Sequence, residues 1–431
     1  MYRRQCVASA LALLIVPATV LAQRGRGRGA GEPPPVPIVL HAAHVFDGTA
    51  MQSNWDVVVT GNKITAAGPA ASVTRPAGAK VMDLGQATLM PGMIEGHSHL
   101  LLHPYNETSW NDQVLNEPLA LRIARATVSA RTTLMAGITT TRDLGTEGAG
   151  YADVGLRDAI NQGIIPGPRI LASTRAIVAT GDYGVKGAPE WDLPYGGQQA
   201  SGNDVIAVTR DQISRGADWV KIYADYRYGS LPGAHPTFTV DEIKLITTTA
   251  HNEGHPVTAH ATSAEGMTNA ILGGVNTIEH GDDGTPEVFR MMAEKGIALC
   301  PTVAAGDATA QYAGWRKGTD PEPARIAAKR ETFRQALAAH VKIIFGGDVG
   351  VFSHGDNVRE LDIMVNYGMS ALDAVTAATS GNAANLLLPD RGSVKTGLLA
   401  DLIVVDGDPT TNIGVLHNVK FVMKNGEIVK Q

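Results

Sequence analysis

The chain has 431 residues, 18% of them charged and 44% hydrophobic, with 48 glycines and a formal net charge of −6. That length suits one large domain with an accessory part, and the composition excludes a disordered or coiled-coil protein. The acidic balance, with no basic stripe beyond the first residues, argues against a nucleic-acid partner.

Residues 1–22 begin with Arg3 and Arg4, continue through an apolar run and place Val20 and Ala22 before the expected cut, which is the pattern of an export signal. The run is shorter than the roughly 20 residues a spanning helix needs. The expectation is an exported protein, periplasmic or secreted, without membrane contact after cleavage. Losing the leader removes Cys6 and leaves Cys300 alone, so no intrachain disulfide can form. Core packing, metal or assembly must then hold the fold, and a homo-oligomer is expected.

Residues 23–37 combine Gly, Arg and Pro without apolar periodicity and read as a flexible lead-in. Residues 38–89 hold short β-type runs separated by Gly and Asn turns, and residues 391–431 have the same character, with an Asn425-Gly426 hairpin signal. Neither piece alone has strands enough to cover a core, so the two predict one small β-sandwich domain made from both chain ends.

From 90 to 390 short apolar runs alternate with helical patterns. The strand candidates are LMPGMIEGHSH, GITTTRDLG, PRILAST, DWVKIYAD, HPVTAHA, TIEHG, ALCPTV and KIIFGGDVG. A helix is expected over 113–136, where Leu115, Leu119, Ile123, Ala126, Ala130 and Leu134 keep the 3.6-residue period. Thr239 with Glu242, Ser370 with Asp373, and Pro286 after Thr285 are helix-start signals. Eight strand-then-helix units have the rhythm of an α/β protein of the (β/α)8 TIM-like barrel type. An open doubly wound sheet would alternate in the same way, so the placement of polar residues has to separate the two.

In a barrel, chemically active residues gather at the downstream ends of the strands. Five runs here carry such residues: His97 and His99 on the first, Lys221 on the fourth, His260 on the fifth, His280 on the sixth and Asp348 on the eighth. Four imidazoles and one carboxylate suit divalent metal, zinc above all, with manganese, cobalt and nickel open by ligand type. A desolvated Lys221 near positive charge becomes a neutral amine, and carbon dioxide would convert it to a carbamate (N6-carboxylysine) able to bridge two ions. The loop after it supplies Tyr223, Tyr226, Arg227, Tyr228 and His235 as candidates for binding a substrate carboxylate. His354 is a further substrate-binding candidate, and His103 and Arg142 lie just past the first and second strands.

PGMIEGHSH, VKIYA, VTAH, IEHG, GGD and the ADLIVVDGDP ending together resemble the amidohydrolase superfamily, in its binuclear branch with a carboxylated lysine. The resemblance runs from about Ile38 to the end. Within that superfamily GGDVGVFSHGDNVREL is similar to prolidase-like carboxypeptidases and to the bacterial amidohydrolases that hydrolyse ochratoxin A. It implies two divalent ions, one on His97, His99, Lys221 and Asp348 and one on Lys221, His260 and His280, with Asp348 also the catalytic proton carrier. The implied reaction is hydrolysis of an amide or peptide bond next to a C-terminal amino acid, in a small or dipeptide-like substrate with a free carboxylate. An Xaa-Pro dipeptidase, a mononuclear imidazolonepropionase- or deaminase-like enzyme, and an inactive scaffold on the same fold are the alternatives.

Overall fold

Both chain ends are rich in β-branched residues flanked by tight turns, and they meet in one sheet. The computed structural model describes residues 35–185, 193–227 and 231–431; the leader, most of the lead-in and Tyr228 lie outside them. Within the described part, strands run in the order Glu427–Lys430, Val419–Lys424, Leu402–Val405, Thr88–Pro91, Ile38–Phe46, Met51–Thr60 and Lys63–Pro69, with Lys80–Asp83 also on Ile38–Phe46. Thr88–Pro91 joins the halves, pairing parallel with Ile38–Phe46 and antiparallel with Leu402–Val405. Leu40, Val57, Ile64, Leu402 and Phe421 pack in one apolar cluster, so both ends share a core. The pairing gives a single eight-stranded sheet and does not divide it into the two layers of a sandwich. The Asn425-Gly426 hairpin forms as expected, with φ of 58° and 76° at the turn and Lys424 opposite Glu427.

The middle of the chain is mixed α/β, with parallel strands separated by helices. Met93–Ser98, Ile138–Asp143 and Arg169–Ala172 form one parallel ladder. Ile177–Val178, Val220–Tyr223, Val257–Ala261, Thr277–His280 and Ala298–Cys300 lie in another, also parallel. Nearly every residue of these strands is buried, the pattern of strands covered on both faces. The expected eighth strand, KIIFGGDVG, departs from regular pairing. Single parallel bridges join Ile343 to Leu299 and Val349 to Ser98, while Gly96 N–H donates to Phe345 O at 2.8 Å and Asp348 N–H to His97 O at 2.9 Å. This segment thereby links the last strand of one ladder to the first of the other. Asn382 explains the irregularity: its amide nitrogen donates to Ile94 O and Phe345 O, both at 2.7 Å, and its oxygen accepts from Phe345 N–H at 3.2 Å. A side chain takes the place of ladder partners there.

The helix expected over 113–136 is two helices, Trp110–Leu115 and Leu119–Met135. Pro118 lacks the N–H a continuous helix would need and stands as the cap of the second. The inward face also differs from the expected stripe: Arg122, Ala126, Ala130 and Leu134 are buried, whereas Leu115, Leu119 and Ile123 are exposed. The other start signals hold. Thr239 and Glu242 form a reciprocal capping box, Ser370 caps through Asp373 N–H, and Thr285 caps a helix with Pro286 at its start.

Glycines set how closely the segments approach. A Cβ on Gly96 would stand 2.3 Å from Ile344 Cγ2 and 3.0 Å from Phe345 O, so Gly96→Ala forces apart the two segments that carry His97 and Asp348. Overpacking of this kind costs about 1–3 kcal/mol. Denaturant unfolding of Gly96→Ala is expected to show a loss of that size; an unchanged midpoint would mean the segments separate freely.

Candidate active site

Four of the histidines singled out in the sequence, His97, His99, His260 and His280, sit at or just past the downstream ends of parallel strands, and Asp348 joins them from the irregular segment 343–349. Ladder register sets their spacing: Tyr223 lies opposite His260, and Ala261 opposite His280. The His97 and His99 ring centroids are 5.4 Å apart, those of His97 and His280 5.2 Å, and those of His260 and His280 4.5 Å. Donor atoms of His97, His280 and Asp348 all lie within 4.8 Å of one another. His280 and Asp348 both have left-handed backbones, with φ of 75° and 62°, which costs free energy in a non-glycine residue.

Each of three imidazoles has one ring nitrogen committed away from this centre. His97 Nδ1 pairs with Glu279 Oε2 at 2.8 Å, His99 Nδ1 with Gly145 O at 2.8 Å, and His280 Nδ1 with Thr302 Oγ1 at 2.8 Å. A ring nitrogen facing a carbonyl or carboxylate oxygen donates its proton there, so Nδ1 of His97 and of His99 is used outside the centre and Nε2 is the nitrogen each turns to Asp348. Those Nε2 atoms stand 3.5 and 3.1 Å from Asp348 Oδ1. His260 stacks on Tyr223 at 4.4 Å, with Nε2 3.7 Å from Asp225 Oδ1. Inward nitrogens, an aspartate and a buried lysine are a donor set that fits divalent metal.

Electrostatics agree with that reading. Burial lowers the pKa of His97 to about 4, so its ring is neutral at physiological pH. Burial would raise Asp348, but His97 and His99 outweigh it and hold the carboxylate well below its usual range. His99 is pushed the other way: burial alone would lower it, and its hydrogen bond to Asp348 raises it to about 9. A proton on His99 thus sits on the lone pair a cation would need, so binding a metal ion must displace it. Lys221 is buried, and desolvation depresses its pKa despite the opposing pull of Glu279 and Asp348.

The sequence reading passed over Glu279, and left Arg142 without a role. Both are fully buried. Glu279 accepts from Arg142 at 2.8 Å, from Thr258 at 2.6 Å and from Thr277 at 2.8 Å as well as binding His97. Arg142 also donates to Gly96 O at 2.7 Å and packs over Trp219 at 4.5 Å. Burial would raise the Glu279 pKa, yet Arg142 and His97 hold it well below the carboxylate range. The available signal was a charged residue one position before the end of each of two short strand runs, Glu279 in TIEH and Arg142 in ITTTRD.

A cavity of about 340 Å³ opens over this centre. Tyr105, Tyr183, Tyr223 and Tyr226 line one side, and Thr302, Thr309, Arg325 and Lys329 another. Tyr223 and Tyr226, two of the substrate-binding candidates, thus line the cavity. Arg227 and His235 are not among the lining residues, although His235 pairs with Tyr226 in the short ladder Asp225–Tyr226 on His235–Pro236. His354 is not among the lining residues and stands against the segment after the first strand, its Nε2 3.1 Å from Leu102 O, and Tyr228 falls outside the described residues. His103 is held by Glu107 and Glu117 at 3.1 and 2.8 Å.

Comparison with known proteins places these features in context. The amidohydrolase family model matches residues 88–429. Ochratoxinase from Aspergillus niger is 27% identical over 377 residues, covering 79% of this chain and 75% of that protein. A crystal structure of a Xaa-Pro dipeptidase with methionine bound in its active site superposes with a TM-score of 0.80 at 32% identity, over 92% of this chain and 100% of that one. The crystal structure of A. niger ochratoxinase gives a TM-score of 0.79 at 25% identity, over 92% and 96%.

Removing one partner of a buried ion pair costs about 3–5 kcal/mol, since the remaining charge is stranded. Arg142→Met is expected to lose that much stability in urea unfolding, more than Arg142→Met combined with Glu279→Gln. Equal losses would show that charge pairing is not what Arg142 contributes.

Proposed function

The chain belongs to the amidohydrolase family and is an amide-bond hydrolase; on that premise we propose a binuclear metal-dependent enzyme that cleaves the bond next to a C-terminal amino acid. The observation carrying this reading is the convergence of His97, His99, His260, His280 and Asp348 on one cavity, with outer nitrogens already committed. In the proposal Arg169–Ala172 and Ile177–Val178 are two parts of one strand, the two parallel ladders close through residues 343–349 into an eight-stranded barrel, and the sheet of the chain ends folds over as a sandwich. Export through residues 1–22 and assembly into a homo-oligomer belong to the same proposal. Exposed Leu119, Leu121, Ile123 and Val128 on one helix support the second point.

His97, His99, Lys221 and Asp348 would hold one ion, and Lys221, His260 and His280 the other, with Lys221 as its carbamate. The depressed basicity of Lys221 favours the free amine needed to add carbon dioxide, a step that forms the N–C bond and releases one proton. Divalent ions there, zinc by ligand type, would supply an acidified water as nucleophile and a Lewis acid for the scissile carbonyl. Asp348 turns Oδ1 to His97 and His99, which leaves Oδ2 to take the nucleophile's proton and deliver it to the departing amine. Glu279 and Arg142 keep the His97 ring in the tautomer that presents Nε2. The tyrosines lining one side of the cavity exclude water from the acyl group.

The test is hydrolysis of a panel of N-acyl amino acids ending in phenylalanine, leucine or proline. Cleavage with preference for phenylalanine under a bulky aromatic acyl group supports an ochratoxin-type activity, strict proline preference moves the enzyme to a dipeptidase, and no cleavage rejects the reading. Asp348→Asn is expected to lose about 10²–10⁴-fold in kcat while the protein stays folded. Near-normal turnover by that variant would remove Asp348 from the proton path.

A further inference from the structure

We propose that Arg325, steadied by Thr309, binds the carboxylate of the leaving amino acid, so that the substrate lies with this end on the helix Ala324–Ala338 and its acyl group on the tyrosine wall. The inference rests on the function proposed above and adds a residue and an orientation to it. Sequence reasoning had put carboxylate recognition in the loop after Lys221, but Arg227 and His235 of that loop do not line the cavity.

The two walls of the cavity differ in charge. On the first, Tyr183 sits 4.4 Å from Tyr223, 5.3 Å from Tyr226 and 5.1 Å from Trp110. Beside these rings Glu147, 1% exposed, also lines the cavity and accepts from Trp110 Nε1 at 2.9 Å and from the Tyr183 hydroxyl. Its second oxygen, Oε1, is buried without a hydrogen-bond partner, 3.8 Å from His99 Nδ1. A substrate carboxylate placed here would meet acceptor oxygens and ring faces, whereas a planar acyl group would meet aromatic faces.

The second wall is cationic. Lys329 donates to His280 O at 2.6 Å and is neutralised by Asp282. Nearby cations are likewise engaged: Lys317 and Arg359 pair with Asp307, and Arg330 with Glu322. Arg325 differs, its hydrogen bond being to a neutral hydroxyl, from one terminal nitrogen to Thr309 Oγ1 at 3.2 Å. Thr309 is held in turn by Ala305 O and Gly306 O at 3.0 and 3.1 Å. The remaining guanidinium donors form the planar fork that matches a carboxylate, and the first turn of a 15-residue helix adds its own positive end. Among the described residues lining the cavity, Arg325 is the cation paired with no carboxylate.

N-benzoylglycyl-L-phenylalanine and its C-terminal carboxamide separate this from a structural role. The wild-type protein is expected to favour the acid, and Arg325→Ala to raise its KM about 10- to 100-fold, the range for losing a hydrogen bond to a charged group, with kcat little changed. Activity on the carboxamide should be the same in both proteins, and Arg325→Lys should recover part of the lost affinity. Arg325 is exposed, so neither substitution threatens folding. Equal effects on acid and carboxamide, or an unchanged KM for the acid, would overturn the assignment while leaving the proposed function standing. A wild-type protein that cleaves neither compound, nor any member of the N-acyl panel, would overturn both.

Discussion

A carboxylate with no solvent exposure, held between an arginine and an imidazole, sets the geometry on which the remainder of this site depends. Glu279 would be costly to bury alone, and Arg142 equally so; together, with two threonine hydroxyls completing the shell, they form a satisfied network under the strand ends. The consequence for chemistry is directional. Because Glu279 takes Nδ1 of His97, the opposite nitrogen faces Asp348, and because Arg142 also donates to Gly96 O, the same network ties down the strand that carries His97 and His99. A buried ion pair is a poor source of net stability. Its contribution here is to hold one tautomer and one ring orientation.

Backbone constraints act with that network. His280 and Asp348 adopt left-handed conformations, and Gly96 admits Ile344 and Phe345 at a distance no larger residue would allow. Asn382 substitutes its amide for a missing ladder partner beside Phe345. The irregular eighth segment is thereby placed by side-chain hydrogen bonds and close packing, which lets Asp348 reach the histidines from outside any regular strand.

Much of this was legible in the sequence because period and position are local properties. The apolar runs that carry His97, Lys221, His260 and His280 are strands, and the three histidines line one cavity. The Thr239 capping box and the Asn425-Gly426 turn follow from short-range chemistry and formed as read. What failed depended on tertiary context. Pro118 divided a helix whose periodicity looked continuous, and the stripe through Leu115 and Ile123 faces solvent. Arg227 and His235 sat at the right distance along the chain from Lys221, but neither is among the residues lining the cavity. Arg325 reaches the cavity from a helix far along the chain, and no spacing pattern connects it to the metal-type residues.

Assigning the six polar residues to two ions is the central claim, and elemental analysis of the purified, dialysed protein tests it most directly. About two divalent ions per chain, retained through dialysis and reduced when His260 and His280 are both replaced by alanine, is the predicted result. One ion per chain, or none, would contradict the binuclear assignment.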